Sequence, residues 1–176
     1  FRRVLFRSAD KAAYASIVAV NVGGTKEYVQ FLEKGLVGVD AKSGKFLWRY
    51  ENSGKGSPAN IPTPVARQDF VYSTTNRGGG GLVQLTPSGA GVEAKEIYFT
   101  NKLPNAIGGS VEYQGLLFGT NNGGLICADF ATGDIKWQER CVGAGSVCYA
   151  DGRLYVHGES DPGEVRSEEH TSELQS

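Results

Sequence analysis

The amino-acid sequence predicts an all-β fold, a partial β-propeller of about three and a half four-stranded antiparallel blades that belong to a larger ring. Three observations predict it. Glycine supplies 25 of the 176 residues and is spread among β-branched and aromatic residues, which is typical of short strands joined by tight turns. Apolar and polar residues alternate with period two between turn residues spaced roughly 8–12 positions apart. A long sequence pattern also returns at a spacing that fits propeller blades.

The returning pattern begins at a glycine and ends at a tryptophan. Residues 35–48 recur as residues 124–137, with Gly, Asp, Gly and Trp at matching positions 89 residues apart. A propeller repeat spans about 40–50 residues, so this shift corresponds to two blades. A degenerate copy is expected midway, beginning at Gly81, where Thr86 takes the Asp position and Tyr98 or Phe99 replaces the Trp.

Each copy follows two further alternating segments, so the sequence predicts four strands per blade. Within a propeller region of residues 9–165, the blades are expected near 16–50, 61–99 and 107–139, with an incomplete fourth at 145–165. The predicted strands are 16–22, 27–32, 35–40, 45–50, 61–66, 69–75, 81–86, 92–99, 107–113, 115–120, 124–129, 134–139, 145–150 and 152–158.

The two ends of the chain are predicted to be non-native. A DNA sequence that can encode residues 166–173 reads, on its opposite strand, as residues 1–8. That DNA resembles a common sequencing adapter, so we expect residues 1–8 and 166–176 to be translated adapter and exclude them from fold reasoning. On this interpretation the propeller region is an internal piece of a longer chain, and the true N-terminus with any signal peptide is absent.

Charge and hydropathy exclude nucleic acid as a main partner and a membrane-spanning segment in the chain. The formal net charge is -1, whereas phosphate binding needs a marked basic excess, so nucleic acid is not an expected partner. No run approaches the roughly 18 apolar residues of a membrane-spanning helix, so no transmembrane segment is expected.

The repeated motif resembles the PQQ-like β-propeller repeat of the quinoprotein dehydrogenases, whose tryptophan-docking pattern reads Ala-x-Asp-x-x-Thr-Gly-Lys-x-x-Trp. Here Gly38 and Cys127 replace the first Ala, so the position stays small. The resemblance implies a structural docking role for six residues: in each copy the Asp would fix the turn and the Trp would pack against the adjacent blade. These are Asp40, Gly44, Trp48, Asp129, Gly133 and Trp137.

The other candidate residues favour structural interpretations. The spacing of Cys127, Cys141 and Cys148 does not match a Cys-x₂-Cys metal site, although a Cys141–Cys148 disulfide stays open. His157 has no second histidine near it in the sequence and is interpreted as a strand residue. The glycine-rich segment 76–81 is not followed by a predicted helix, so it indicates a hairpin rather than a phosphate loop. By position, residues 101–105 are the best candidates for ligand contact.

The resemblance implies two alternative functions. The first is a non-catalytic scaffold in an exported bacterial protein, periplasmic or secreted, that binds a protein or carbohydrate partner and needs no cofactor or metal. The second is part of a PQQ-dependent alcohol or sugar dehydrogenase whose quinone and Ca²⁺ site lies in missing blades. The cysteines are not adjacent, so the vicinal disulfide often found in such enzymes is absent, and no catalytic residue is assigned. Under either alternative, the remaining blades of the full-length chain are expected partners of this region.

Overall fold

In the computed structural model the chain folds into successive antiparallel sheets, each made of neighbouring strands in sequence order. The structure describes residues 9–55, 59–75, 77–89, 91–140, 142–159 and 165–169. Blade one contains β1 (Val18–Val22), β2 (Thr25–Leu32), β3 (Gly35–Asp40) and β4 (Phe46–Tyr50). Blade two contains β5 (Val65–Arg67), β6 (Phe70–Thr75), β7 (Gly79–Ser88) and β8 (Gly91–Thr100). Blade three contains β9 (Ser110–Tyr113), β10 (Leu116–Asn121), β11 (Gly124–Asp129) and β12 (Ile135–Glu139).

The fourth sheet has one strand more than the sequence predicted. It contains β13 (Gly145–Ala150), β14 (Arg153–Gly158) and β15 (Val165–Glu169), in that order. The third strand extends into the residues assigned above to translated adapter, and its backbone pairs with β14 in antiparallel register. The adapter origin of this segment stays a prediction. The architecture is therefore a partial propeller of three four-stranded blades followed by a three-stranded sheet.

The first two strands of each blade are joined by two-residue turns. In blade one both turn residues, Gly23 and Gly24, have positive φ. Gln114 and Gly115 in blade three, and Asp151 with its following glycine in blade four, repeat this conformation. Two successive residues at positive φ are the requirement of a type I′ hairpin, which suits the right-handed twist of the strands.

A glycine with positive φ begins the third strand of each four-stranded blade. These residues are Gly35, Gly79 and Gly124, so the repeat distances are 44 and 45 residues. The predicted start of the degenerate copy at Gly81 was therefore wrong by two residues. A Cβ on Gly79 would lie 2.7 Å from the carbonyl oxygen of Thr100, because the fourth strand passes directly behind the turn.

The apolar core lies between successive blades. One cluster joins blades one and two, and its fully buried members include Phe31, Leu36 and Val83. A second joins blades two and three around Tyr72 and Leu117. Two smaller clusters join blade three to the fourth sheet. Each face between successive sheets is thus covered by its neighbour, as radial stacking requires.

The two ends of the strands form different rims. One end carries the turns between first and second and between third and fourth strands, and we term it the hairpin rim. The other end carries the remaining turns and the segments that lead from blade to blade, and we term it the connection rim. Polar groups lock these segments: Thr120 Oγ1 donates to the Gly145 carbonyl (2.7 Å), and Ser73 donates to Ser53 (2.6 Å).

Among the described residues the structure contains no helix of the length and apolarity needed to cross a membrane.

Candidate functional site

An aspartate organises the turn between the third and fourth strands of blades one and three. Asp40 Oδ1 accepts hydrogen bonds from the backbone N–H groups two and three residues further on, at 3.1 and 2.6 Å. Asp129 Oδ1 does the same, at 3.0 Å in both cases. Gly44 and Gly133 close the turns at φ 75 and 76. The hydroxyl and backbone N–H of Ser43, which bond the charged carboxylate, hold the pKa of Asp40 below its ordinary value.

Trp48 lies buried over Gly38, where any side chain would collide with the indole ring. Its indole N–H donates to Glu27 Oε2 at 2.7 Å. Glu27 is fully buried, and its second oxygen, Oε1, has no hydrogen-bond partner. Burial raises the pKa of Glu27 and the neighbouring Asp40 raises it further, while the bond from the indole opposes both effects.

Sequence reasoning missed Glu27. A signal was present, because in the alternating run of β2 it takes the same face as Val29 and Phe31, both of which are buried in the first core cluster. A charged residue at an inward position of a strand is uncommon unless it is paired or functional.

Trp137 has different surroundings from its counterpart in blade one. It is half-buried, its ring centroid lies 6.2 Å from that of Phe118, and it packs against the buried cluster that contains Val156 of the fourth sheet. Strand register places Leu116 where blade one has Glu27. The carboxylate beneath the indole is therefore absent from blade three. The docking role of the six residues named from the sequence stays a prediction that these contacts make testable.

Blade two carries a variant of the motif in which the Asp position differs from the sequence prediction and the Trp position agrees with one of the two predicted alternatives. The β6–β7 register puts Gln84 at the Asp position, whereas Thr86 lies two residues further into the hairpin. The bulge in β8 puts Tyr98, not Phe99, at the Trp position. Tyr98 contacts the next blade: its ring packs against Gly133, 3.0 Å from where a Cβ would lie.

The Tyr98 hydroxyl also donates to the carbonyl oxygen of Phe130 at 3.0 Å, and burial raises its pKa. An aromatic ring with a polar end thus joins blades two and three without a tryptophan.

The cysteines and the histidine occupy separate places. Cys127 is a buried free thiol, and burial raises its pKa to about 11. Cys148 is an exposed free thiol, and Cys141 lies outside the described residues. His157 is exposed on β14. In the part of the chain that the structure describes, no three His, Cys, Asp or Glu side chains come together as a metal site.

The glycine-rich segment forms a hairpin, as predicted. It joins β6 and β7, and Thr75 Oγ1 accepts the backbone N–H groups of Arg77 (3.2 Å) and Gly78 (2.8 Å). These two N–H groups, which a phosphate loop would present to an anion, are therefore bonded within the turn.

The predicted ligand-contacting segment, residues 101–105, is anchored in the connection rim. Leu103 is fully buried, and Tyr72 donates its hydroxyl to the carbonyl of Pro104 at 3.1 Å. Asn101 and Lys102 remain exposed at its start. The segment is a fixed support that presents two polar side chains to solvent, followed by Ile107, which is 42% exposed.

A cavity of about 360 Å³ opens on the hairpin rim between blades one and two. The β7–β8 hairpin of blade two is long, and Pro87 near its tip contacts Gly23 in the first turn of blade one. Glu27 and Asp40 are part of the lining. The other lining residues are Val22, Gly23, Thr25, Ser43, Lys45, Leu47, Pro87, Gly89, Gly91 and Val92.

A second, more open cavity of about 430 Å³ lies at the outer strands of the same two blades. There Glu96 Oε2 accepts the hydroxyl of Tyr50 and the side-chain amide of Asn52, each at 2.7 Å. Its polar groups are thus largely bonded to each other.

Comparison with known proteins identifies relatives of this fold. A family model described as outer membrane protein assembly factor BamB matches residues 4–139. The crystal structure of BamB from Moraxella catarrhalis superimposes with a TM-score of 0.63 at 10% identity, covering 90% of this chain and 49% of that one. Quinohemoprotein alcohol dehydrogenase from Comamonas testosteroni gives a TM-score of 0.49 at 14% identity, covering 81% and 33%. No curated protein matches the chain. The chain spans about half the length of the BamB structure.

Proposed function

Because the chain belongs to the propeller family described as outer membrane protein assembly factor BamB, we propose that it is a non-catalytic scaffold that binds a protein partner. The observation that carries the proposal is the family match over residues 4–139, which includes both tryptophan-containing turns. A scaffold of this family would act in the periplasm, in the assembly of outer membrane proteins, without a quinone or a metal ion. A carbohydrate partner is the alternative for the same scaffold.

The connection rim is the surface that we propose for the partner. Its segment at Asn101 and Lys102 is held by buried neighbours, so the exposed side chains need little ordering on binding. The partly exposed Ile107 nearby adds apolar area, and a mixed apolar and polar patch on a rigid support is typical of protein interfaces.

The scaffold role is tested by deleting the gene in its host and measuring the outer membrane fraction by quantitative mass spectrometry. We expect outer membrane proteins to decrease and the complete gene to restore them. A photo-crosslinking residue at Lys102 is expected to capture a component of that fraction, whereas the same residue at Lys42, exposed on the hairpin rim, is the matched control. An unchanged outer membrane protein content would contradict the proposal.

The enzymatic alternative is tested separately. The complete protein is titrated with pyrroloquinoline quinone and Ca²⁺, and dye reduction is measured with alcohols and sugars. We expect no turnover above that of quinone alone. Saturable turnover would overturn the scaffold proposal and favour the dehydrogenase.

A further inference from the structure

The hairpin-rim cavity contains a pair of acids that the fold alone does not require. Glu27 and Asp40 are directly opposite each other on β2 and β3, so their side chains lie on the same face. Like charges in directly opposed cross-strand positions are destabilising. The equivalent pairs are Phe70 with Gln84 and Leu116 with Asp129, so the other two four-stranded blades avoid this repulsion.

Glu27 is also incompletely satisfied. One oxygen holds the Trp48 indole, while Oε1 is buried and has no hydrogen-bond partner, and the Glu27 side chain belongs to a residue that lines the cavity. A buried acceptor without a donor is costly, and such strain is often found at binding sites. An incoming donor would remove the cost.

The charged residues that line the cavity indicate which kind of hydrogen-bond donor it would bind. Asp40 is held in its charged form by the hydrogen bonds of its turn, and it raises the pKa of Glu27. Lys45 is the other charged residue in the lining, and the hairpin of blade two contributes no charged side chain to it. Two adjacent carboxyl groups favour a cation over a neutral donor.

The lining also limits which cation fits. Divalent cations such as Ca²⁺ take six to eight oxygen ligands, whereas the Ser43 hydroxyl here already donates to Asp40. Leu47, Pro87 and Val92 provide an apolar wall beside the acids. A single ammonium group with an aliphatic chain matches both parts of this surface.

We propose that the hairpin-rim cavity binds a primary ammonium group on an aliphatic chain, with Glu27 Oε1 accepting its hydrogen bond and Asp40 adding a second negative charge. The side chain of a lysine in a protein and a free alkyl diamine carry the same chemistry. The site lies on the rim opposite to the proposed partner surface, so it does not depend on the scaffold function.

Trp48 reports on the site because its indole shares the carboxyl group of Glu27. The complete propeller is labelled with 5-fluorotryptophan, and the Trp48 resonance in the ¹⁹F NMR spectrum is assigned by its loss in Trp48→Phe. Titration with n-butylammonium at mildly alkaline pH is expected to shift this resonance saturably and leave that of Trp137 unchanged. The neutral probe n-butanol is expected to produce no saturable shift.

The variant Glu27→Gln keeps an acceptor for the indole and removes the charge, so it is expected to fold and to bind n-butylammonium at least about tenfold more weakly. Glu139→Gln, which makes the same change at an exposed position in blade three, is expected to bind as the unaltered protein does. Asp40→Asn, which retains the oxygen of its turn, is expected to weaken binding less than Glu27→Gln.

Two further titrations distinguish the two sources of the ammonium group, a lysine in a protein and a free alkyl diamine. The first uses a peptide with one internal lysine. If this peptide binds more tightly than its norleucine counterpart and more tightly than cadaverine, the natural ligand is a protein lysine. Cadaverine that binds more tightly than the peptide indicates a free diamine. The proposal is overturned if n-butylammonium produces no saturable shift, if n-butanol produces the same shift, or if Glu27→Gln binds as tightly as the unaltered protein.

Discussion

Trp48 and Trp137 hold the same position in two blades, but only the first is enclosed. The Trp48 ring covers Gly38 and bonds to a buried carboxylate, whereas Trp137 is half-buried beside Phe118. We therefore expect the two residues to contribute unequally to the free energy of unfolding, although their sequence motifs are equally clear.

Replacing Trp48 by Ala in the complete propeller is expected to lower the free energy of unfolding by about 3–5 kcal/mol, because it opens a cavity and leaves Glu27 with no donor. Trp137→Ala is expected to cost less, about 1–3 kcal/mol, because less of the ring is buried. Denaturant unfolding measures both. A Trp48→Ala loss below about 1 kcal/mol would show that this residue does not dock the blades.

The buried carboxyl group of Glu27 makes stability depend on pH. Its pKa in the folded state is raised above the ordinary 4.5, so its contribution to stability is fully present below that value and lost as the pH rises through the folded pKa. Glu27→Gln removes this term. We expect the stability of the unaltered protein, relative to Glu27→Gln, to fall from acid to neutral pH in urea unfolding. Parallel pH profiles for the two proteins would contradict it.

Individual residues also differ in whether their roles could be predicted from the sequence. Asp40 and Asp129 were named through the resemblance of their repeated motif, which is a local feature because each carboxylate bonds N–H groups only two and three residues further on. Gln84 was not assigned to the Asp position, and Tyr98 could not be separated from Phe99, because these positions depend on cross-strand register and on a bulge. Glu27 was missed because its importance comes from residues distant in sequence.

At the scale of elements, the strands were predicted closely because turns and alternation are local. Predicted strands 35–40 and 124–129 agree with β3 and β11 at both ends. The largest difference in bounds is β5, predicted at 61–66 and observed at Val65–Arg67, while β7 extends beyond its predicted end to Ser88 and forms a long hairpin with β8. Pro87 is a typical turn residue in sequence, but in the structure it pairs with Val92 inside the hairpin and packs on Gly23 of the neighbouring blade.

The glycines of the turns between strands differ in whether they can accept a side chain. Gly35 has φ 140, and a Cβ there would collide with the carbonyl oxygen of Tyr50. Gly24 has φ 81, and nothing lies within 4 Å of its Cβ position. We expect Gly35→Ala to cost about 3 kcal/mol, from backbone strain together with the collision. Gly24→Ala is expected to cost about 1–2 kcal/mol, from backbone strain alone. Equal losses in thermal or denaturant unfolding would show that contact with the fourth strand is not the cause.

At the scale of the whole molecule, the outer sheets leave apolar side chains in solvent. Tyr155 on the fourth sheet is 37% exposed, and Tyr28 on the first is 36% exposed. A blade face that lacks its neighbour promotes association. Residues 9–165 expressed alone are therefore expected to aggregate or to melt with poor cooperativity, as measured by size-exclusion chromatography and calorimetry. A soluble monomer with one sharp transition would refute this.

The thiol of Cys148 tests whether a further blade covers the fourth sheet. It is exposed here, whereas Cys127 is buried between blades. With Cys141 changed to Ser, we expect the complete ring to protect Cys148 from iodoacetamide and to release it on unfolding. Rapid labelling of Cys148 in the folded complete protein would mean that no blade lies against this face.

The order of the blades has a consequence for synthesis. In the described part of the chain every sheet is built from consecutive strands, and each hydrophobic cluster joins successive sheets. A blade leaving the ribosome therefore needs no partner that has yet to be translated, except along its trailing face. Among these sheets folding can advance with translation in chain order, and each new blade protects the apolar face of the one before it.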